Sequence, residues 1–509
     1  MSFDDEDLVM EKNDTHEEDG AQQGAEGHDD GGAPARRTGV GGRVEHFTVA
    51  ERTARGKATR AEVTRASHGD WEPAAHRPDP VELLEEQAKT RVPELVPIRY
   101  GRMLVSPFTF YRGAAYLMAS DLASGPRTAL HTQLCGDAHL SNFGGFAAPD
   151  RKIVFSLNDF DETLPGPFEW DVKRLVASFA VAGRDRGFDE KQRAAINLEV
   201  GRSYRESIRT FSAMGNLPLW YSRIDVDELM VEIRRQASGQ GMKANVKRMD
   251  ANVAKGRAKD SMKAFGKLTT MVDGEPRITG DPPLIVPIED VAGDQVDRLH
   301  EFLHTVIRSY RRTLAGDRRK LLERYRYVHA ARKVVGVGSV GTRAWICLLL
   351  GRDGDDPLFL QFKEAQPSVL EPFLGRSEFA NSGQRVVEGQ RLTQAASDIM
   401  LGWIKIEGID GVKRDFYIRQ LWDSKMSAAV EFMEPRGLGI YARICGMELA
   451  RAHARAGDGV AIAGYVGGGD TFDRAMARFA EAYADQNEKD YAALKTAVEV
   501  GRVSAEFGL

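Results

Sequence analysis

The sequence predicts an α+β fold of two lobes, a small one on an antiparallel sheet and a large, mainly helical one. Two observations carry that reading. Residues 168–183, 190–214, 295–314, 437–456 and 471–498 repeat apolar side chains at helical spacing. Between the third and fourth of these lie an apolar strand ending near Val334, the β-rich run 342–350 and the run 358–363, separated by a glycine loop and by the turn cluster 351–357. The 509 residues suffice for two or three domains with substantial cores.

The chain opens on an acidic, glycine-rich stretch. Residues 1–30 hold twelve Asp or Glu against Lys12 alone, which leaves 63 acids facing 69 bases in the rest. As far as Arg43 there is too little apolar content to form a core, so residues 1–75 are read as an acidic disordered tail and linker without chemistry. An acidic start excludes an ordinary signal peptide, and no apolar run reaches membrane-spanning length; a soluble, cytoplasmic protein with no membrane partner is expected. Cys135, Cys347 and Cys445 are too scattered for a zinc motif or a disulfide framework. The run 109–115 precedes a short helix, and Arg112 within it is assigned to a surface ion pair, with a contact to phosphate or substrate as the alternative.

Residues 135–142 read Cys-Gly-Asp-Ala-His-Leu-Ser-Asn; the apolar run 153–157 follows, then Asn158-Asp159-Phe160-Asp161-Glu162. Phosphoryl transfer needs such a set: one carboxylate to receive the proton of the attacking hydroxyl, and an amide oxygen with a second carboxylate to hold magnesium on the phosphates. The bland reading makes Asp137 and Asn142 turn caps. Two other His/Asp clusters act as an internal control. His68-Gly69-Asp70 and His453…Asp458 have Ala75 and Ala463 where the asparagine is needed, and no strand ending in aspartate follows either.

The spacing Gly-Asp-x-His-x-x-Asn resembles the catalytic loop of aminoglycoside and choline kinases. The resemblance implies Asp137 as the catalytic carboxylate and Asn142 as a metal ligand. In those kinases a glycine follows the metal aspartate after seven residues and a buried aspartate after twelve; Asp159, Gly166 and Asp171 keep both intervals. That register makes Asp159 the first choice of metal ligand and Asp161 the second, with His139 a brace of the loop and Asp171 its support from beneath. The chain departs from the pattern at Cys135, where the kinases have histidine, and at Pro167, where they have aspartate.

A second motif, Gly336-Val337-Gly338-Ser339-Val340-Gly341, has the pattern Gly-x-Gly-x-x-Gly. Glycines let the main chain approach phosphates closely. A dinucleotide-binding turn shares the pattern but must open a helix, whereas 342–350 reads as a strand; an NAD-dependent dehydrogenase would require a helix straight after Gly341. Strand, glycine loop, strand, turn and a strand ending in lysine resembles the small lobe of protein kinases. That resemblance implies that Gly336, Gly338, Ser339 and Gly341 cover the phosphates and that Lys363 neutralises them. A glutamate of the next helix, 382–396, would orient the lysine, Glu388 first and Glu378 second. The run 415–421 reads as a strand that would lead into 422–425, the hinge against which adenine sits.

In ordinary kinases the glycine loop and lysine precede the catalytic loop; here they follow it. The expected architecture is therefore a protein-kinase-like two-lobed fold, circularly permuted, which is physically allowed because a site needs groups in space rather than in chain order. Segments 135–142, 158–171, 335–341, 363–371, 394–398 and 450–455 also resemble the bacterial family catalogued as domain of unknown function 2252, over roughly residues 80–496. That family implies a kinase-like relationship and no established substrate. Residues 76–215 are expected to form the catalytic-loop part of the helical lobe, 216–325 a helical, basic insertion or linker, 326–425 the small nucleotide-binding lobe and 426–509 the C-terminal helices. Ten Lys or Arg against two Asp between Arg234 and Lys267 mark a solvated helical face, and with Phe265 the lone aromatic a base-stacking nucleic-acid platform is disfavoured.

The function expected is phosphoryl transfer, dependent on ATP and Mg2+, to a hydroxyl of an unknown small-molecule acceptor. Transfer of AMP to a protein on the same scaffold, and a non-catalytic nucleotide-binding pseudokinase, are the alternatives.

Overall fold

The structure, a computed structural model, describes residues 45–236, 240–334, 336–408, 410–421 and 424–509; residues 1–44, which hold most of the expected acidic tail, lie outside them. The architecture is mixed α+β. Its largest sheet has six antiparallel strands in the order Gly402–Glu407, Lys413–Gln420, Pro357–Ala365, Ala344–Leu350, Arg326–Lys333, Ile285–Pro287. Pro357–Ala365 is buried along its whole length, so its side chains alternate between two covered faces. Leu358, Leu360 and Phe362 pack with Phe416 and Ile418 in the core under the helix Val296–Tyr310. Gln361 and Lys363, with Tyr417 and Arg419 across the ladder, therefore face the other way.

The helices Phe168–Asp185, Glu190–Ser212, Pro435–Ala456, Gly459–Val466 and Thr471–Glu499 share a second core around Phe168, Leu175, Val200, Tyr204, Leu449 and Phe479. Two small antiparallel pairings rest on it. His131–Leu134 pairs with Leu164–Pro167. The hairpin Phe143–Ala147/Ile153–Leu157 is flanked by Ile224–Asp225 and Met426–Ser427.

Helical periodicity placed the long helices within a few residues; residues 295–314 are the helix Val296–Tyr310 followed by a short 3-10 turn. Other expectations are corrected. The stretch assigned to a linker contains the helix Val49–Glu62, opened by a reciprocal cap in which Thr48 and Glu51 bond each other's main-chain N–H. Residues 109–115 lie mostly in a helix of their own, Pro107–Gly113, capped by Ser106, and lead into the expected short helix, Ala115–Ala123. The basic region also contributes strands, including the sheet's edge strand Ile285–Pro287. After Gly341 comes the strand Ala344–Leu350, not the helix a dinucleotide turn requires. The three cysteines are buried and free. Among the described residues no helix is long and apolar enough to cross a membrane.

Candidate functional site

The acidic motif is built on the end of the strand His131–Leu134. As the chain leaves that strand, the N–H groups of Cys135 and Gly136 donate to the Asp171 carboxylate at 2.7 and 3.0 Å. Asp171 lies in the first turn of Phe168–Asp185 and is buried. His453 Nε2 approaches its Oδ2 at 3.3 Å, and His453 Nδ1 lies 2.8 Å from the Tyr204 hydroxyl. The loop is thus fixed from beneath. Gly136 has φ +85°, and a Cβ there would meet the carbonyl oxygen of Glu162 at 2.2 Å; a side chain is excluded by both conformation and space.

Asp137 follows, with Arg174 Nε donating to its Oδ1 at 2.8 Å. Burial raises its pKa, and Arg174 opposes the rise without cancelling it. Asn142 donates through Nδ2 to the Asp137 carbonyl at 2.7 Å, which leaves its Oδ1 available as a ligand atom. His139 is buried, accepts the Ser141 N–H at Nδ1, and is kept neutral by burial and by Arg174 and Arg112. The hairpin register brings the two ends of the motif together. Phe143 pairs with Leu157, so Asn142 and Asn158 stand side by side, joined by the bond from Asn158 N to Asn142 O at 2.8 Å, and Asp159 comes next.

The glycine motif forms a short 3-10 turn at Val337–Ser339 between the strands Arg326–Lys333 and Ala344–Leu350. Arg91 holds it from outside, donating to the carbonyls of Gly338 (2.9 Å) and Val340. Gly341 lies behind, its carbonyl accepting the Val92 N–H at 2.8 Å. Lys363 sits on the inner face of the sheet and is buried.

Both motifs open into one cavity of about 390 Å³, lined among others by Asp137, Asn142, Asp159, Asp161, Ser339 and Lys363, with Gly336 and Gly338 also on its wall. Lys363 Nζ pairs with Asp161, not with a glutamate. Asp161 also accepts from the Tyr417 hydroxyl at 2.8 Å and from Ser339 Oγ at 3.1 Å. Burial alone would raise the Asp161 pKa, but Lys363 and Tyr417 overturn that and hold it low. Asp159 is raised by burial and by the neighbouring Asp161 charge, while its two aspartates lift Lys363 above the usual lysine range against the cost of burial.

Glu388 is corrected accordingly. On the helix Ser382–Thr393 it pairs with Arg391 at 3.3 Å, and Glu378 is exposed before that helix begins. The inward position is held by Arg385, whose guanidinium bonds the carbonyls of Asp161 (2.7 Å), Thr163 (2.7 Å) and Gln366 (2.8 Å). Arg112 is corrected as well. It makes no ion pair among the described residues; it lines the cavity, and its Nε is buried without a partner. Arg385 escaped sequence reasoning because no motif marks it; Arg419 and Lys425 were placed only in the strand and hinge 415–425, of which residues 422 and 423 lie outside the described residues, and not as cations on the cavity wall.

The donors suit a hard cation: one amide oxygen and carboxylate oxygens. Among the described residues no three His, Cys, Asp or Glu converge on a point, so magnesium would take one or two protein oxygens, from Asn142 and Asp159, and complete its shell with phosphate and water.

In comparison with known proteins, residues 91–497 match a family model described as an uncharacterised protein conserved in bacteria (DUF2252). The chain belongs to that family. No curated protein and no solved structure matches it.

Proposed function

We propose that this member of the DUF2252 family is a kinase-like phosphotransferase that moves the γ-phosphoryl group of ATP to a hydroxyl of a small acceptor. The observation that carries the reading is the shared cavity: Asp137, Asn142 and Asp159 face Gly336, Gly338, Ser339 and Lys363 across it although nearly two hundred residues separate the two groups in sequence. The order of the five strands from Arg326–Lys333 to Gly402–Glu407, with helix between the third and fourth in sequence, supports the reading, since a kinase-like small lobe would need such an order.

Asp137, held by Arg174, orients the acceptor hydroxyl. As the acceptor oxygen bonds to phosphorus, its proton passes to the Asp137 carboxylate, the bond from the γ-phosphorus to the bridging oxygen breaks, and ADP leaves. The raised pKa of Asp137 favours that proton transfer. Arg112 and Lys363 counter the charge on the moving group, and the main-chain N–H groups of the glycine turn cover the phosphates. Magnesium, when bound at Asn142 and Asp159, neutralises the phosphate oxygens. Lys363, paired with Asp161, would exchange that carboxylate for phosphate, which would leave Asp161 available as the alternative to Asp159 at the metal.

Incubation with γ-labelled ATP, magnesium and a cell extract tests the reading, with wild type beside Asp137→Ala and Asp159→Ala. Label transfer should fall by about 100-fold or more in each variant. Equal transfer by all three proteins rejects these roles.

A further inference from the structure

We propose that Arg419 and Lys425 form a second anion subsite, for a phosphate group, at the end of the cavity remote from the glycine turn. The identity of its occupant rests on the phosphotransferase reading; the subsite itself rests on the cavity.

The sheet register orders the groups. The glycine turn runs into Ala344–Leu350, where Ala344 lies opposite Lys363 and Ile346 opposite Gln361. The turn is therefore at the Lys363 end. On the same face, two residues and about 7 Å farther along, Gln361 lies opposite Arg419. Arg419 donates to neutral oxygens, Gln361 Oε1 and the Asn158 carbonyl, both at 3.3 Å. Beyond it the chain crosses toward the hairpin. Ser424 is buried with φ +55°, its N–H donating to the Lys259 carbonyl at 2.8 Å, and Lys425 lines the cavity.

Lys425 makes no hydrogen bond or ion pair among the described residues. Burial and the Arg419 charge push its pKa down to about 8, against the opposing pull of the Asp159 carboxylate. On that side Asp398 is engaged, accepting the N–H groups of Met400 (2.8 Å) and Gln420 (2.5 Å). Tyr417, Asp159, Asp161 and Asp398 keep Arg419 charged against the cost of burial, whereas Lys425 loses hydration and is repelled by its neighbour. A slot for a purine ring alone would be apolar; Gln361, Arg419 and Lys425 make this end polar and cationic. A phosphate meets both charges, bidentately at the guanidinium and as a point charge at the ammonium. Two sources share that chemistry: a phosphorylated acceptor, which fits the proposed function, and the phosphates of a nucleotide seated in reverse, which would overturn the roles given above to the glycine turn and Lys363.

Isothermal titration separates them, comparing wild type with Lys425→Met, which is neutral and close in shape, and Lys425→Arg, which keeps the charge. Lys425 has no bond to lose, so both variants should fold; thermal melting verifies this. Each protein is titrated with Mg-ATP, with adenosine and, once loaded with a non-hydrolysable ATP analogue, with inorganic phosphate. ATP binding weakened at least about tenfold in Lys425→Met, restored in Lys425→Arg and unchanged for adenosine supports the subsite with a nucleotide phosphate as occupant. Unchanged ATP affinity, with phosphate binding to the loaded protein lost in Lys425→Met and kept in Lys425→Arg, supports it with a phosphorylated acceptor. Equal affinities of all three proteins for every probe overturn it. Label transfer reports independently: Lys425-dependent phosphate binding without transfer sinks the proposed function and keeps the subsite, and transfer with indifferent Lys425 variants does the reverse.

Discussion

Asp161 joins three elements through one carboxylate: Lys363 and Tyr417 of the large sheet and Ser339 of the glycine turn. Its place could not be assigned from spacing, because Glu388 and Glu378 sit where a helical glutamate is conventionally sought, and only the phase of the helix Ser382–Thr393 puts Arg385 inward instead. That Asp137, Asn142 and Asp159 come together on one cavity wall was legible, because it depends on local loop and hairpin spacing. His68 shows how a buried single residue sets a pH limit. Tyr465 donates its hydroxyl proton to the Val63 carbonyl at 3.0 Å, so His68 Nε2 must donate to the tyrosine oxygen at 2.8 Å. Nδ1 is left buried and unpartnered, and burial pushes the pKa down to about 3. Between about pH 6.5, the unfolded value, and that lower value the unfolded chain binds a proton that the folded chain refuses. Stability is therefore fully present above the window and falls as pH drops through it. Each unit of pH within the window costs up to about 1.4 kcal/mol. Melting curves of His68→Gln from pH 7 to 4 should fall less steeply than those of wild type; parallel curves would refute the assignment.

At the scale of elements, alternation along a buried strand does the positioning: Leu360 and Phe362 go to one core, Gln361 and Lys363 to the cavity. That pattern is visible in the sequence, as is the period of the long helices. The helix Val49–Glu62 was not, because few of its residues are apolar; it is held by close main-chain approach and by arginines. Arg52 and Arg55 bond Asp458 at 2.8 and 2.7 Å, and Arg60 Nε donates to the Tyr465 carbonyl at 2.8 Å. A Cβ on Gly56 would lie 1.9 Å from the Ala461 carbonyl oxygen and 2.9 Å from the Tyr465 nitrogen. Gly56→Ala must push this helix off Gly459–Val466, and denaturant unfolding should show a loss of about 3 kcal/mol. Gly336→Ala, with nothing within 4 Å of its Cβ, should stay within about 0.5 kcal/mol of wild type.

For the whole molecule, residues 48–509 form one compact unit, and the cavity draws on segments that sequence reasoning could pair only by their chemistry. Hydrogen exchange tests that pairing directly. Mg-ATP should slow exchange in residues 137–161 and 336–363 together and leave the hairpin Thr269–Val272/Glu275–Ile278 unchanged. Protection of one stretch without the other would separate the two halves of the site. The same layout bears on biogenesis. Glu190–Ser212 packs against Pro435–Ala456, with Tyr204 bonded to His453 and Ser203 to the Arg443 carbonyl. More than two hundred residues of chain separate these helices. At ribosomal rates of about 5–20 residues per second, the apolar stripe of the earlier helix waits on the order of 10–45 s for its partner. Until then it is a surface for chaperones or for aggregation, a consequence of interrupting a helical bundle with a sheet.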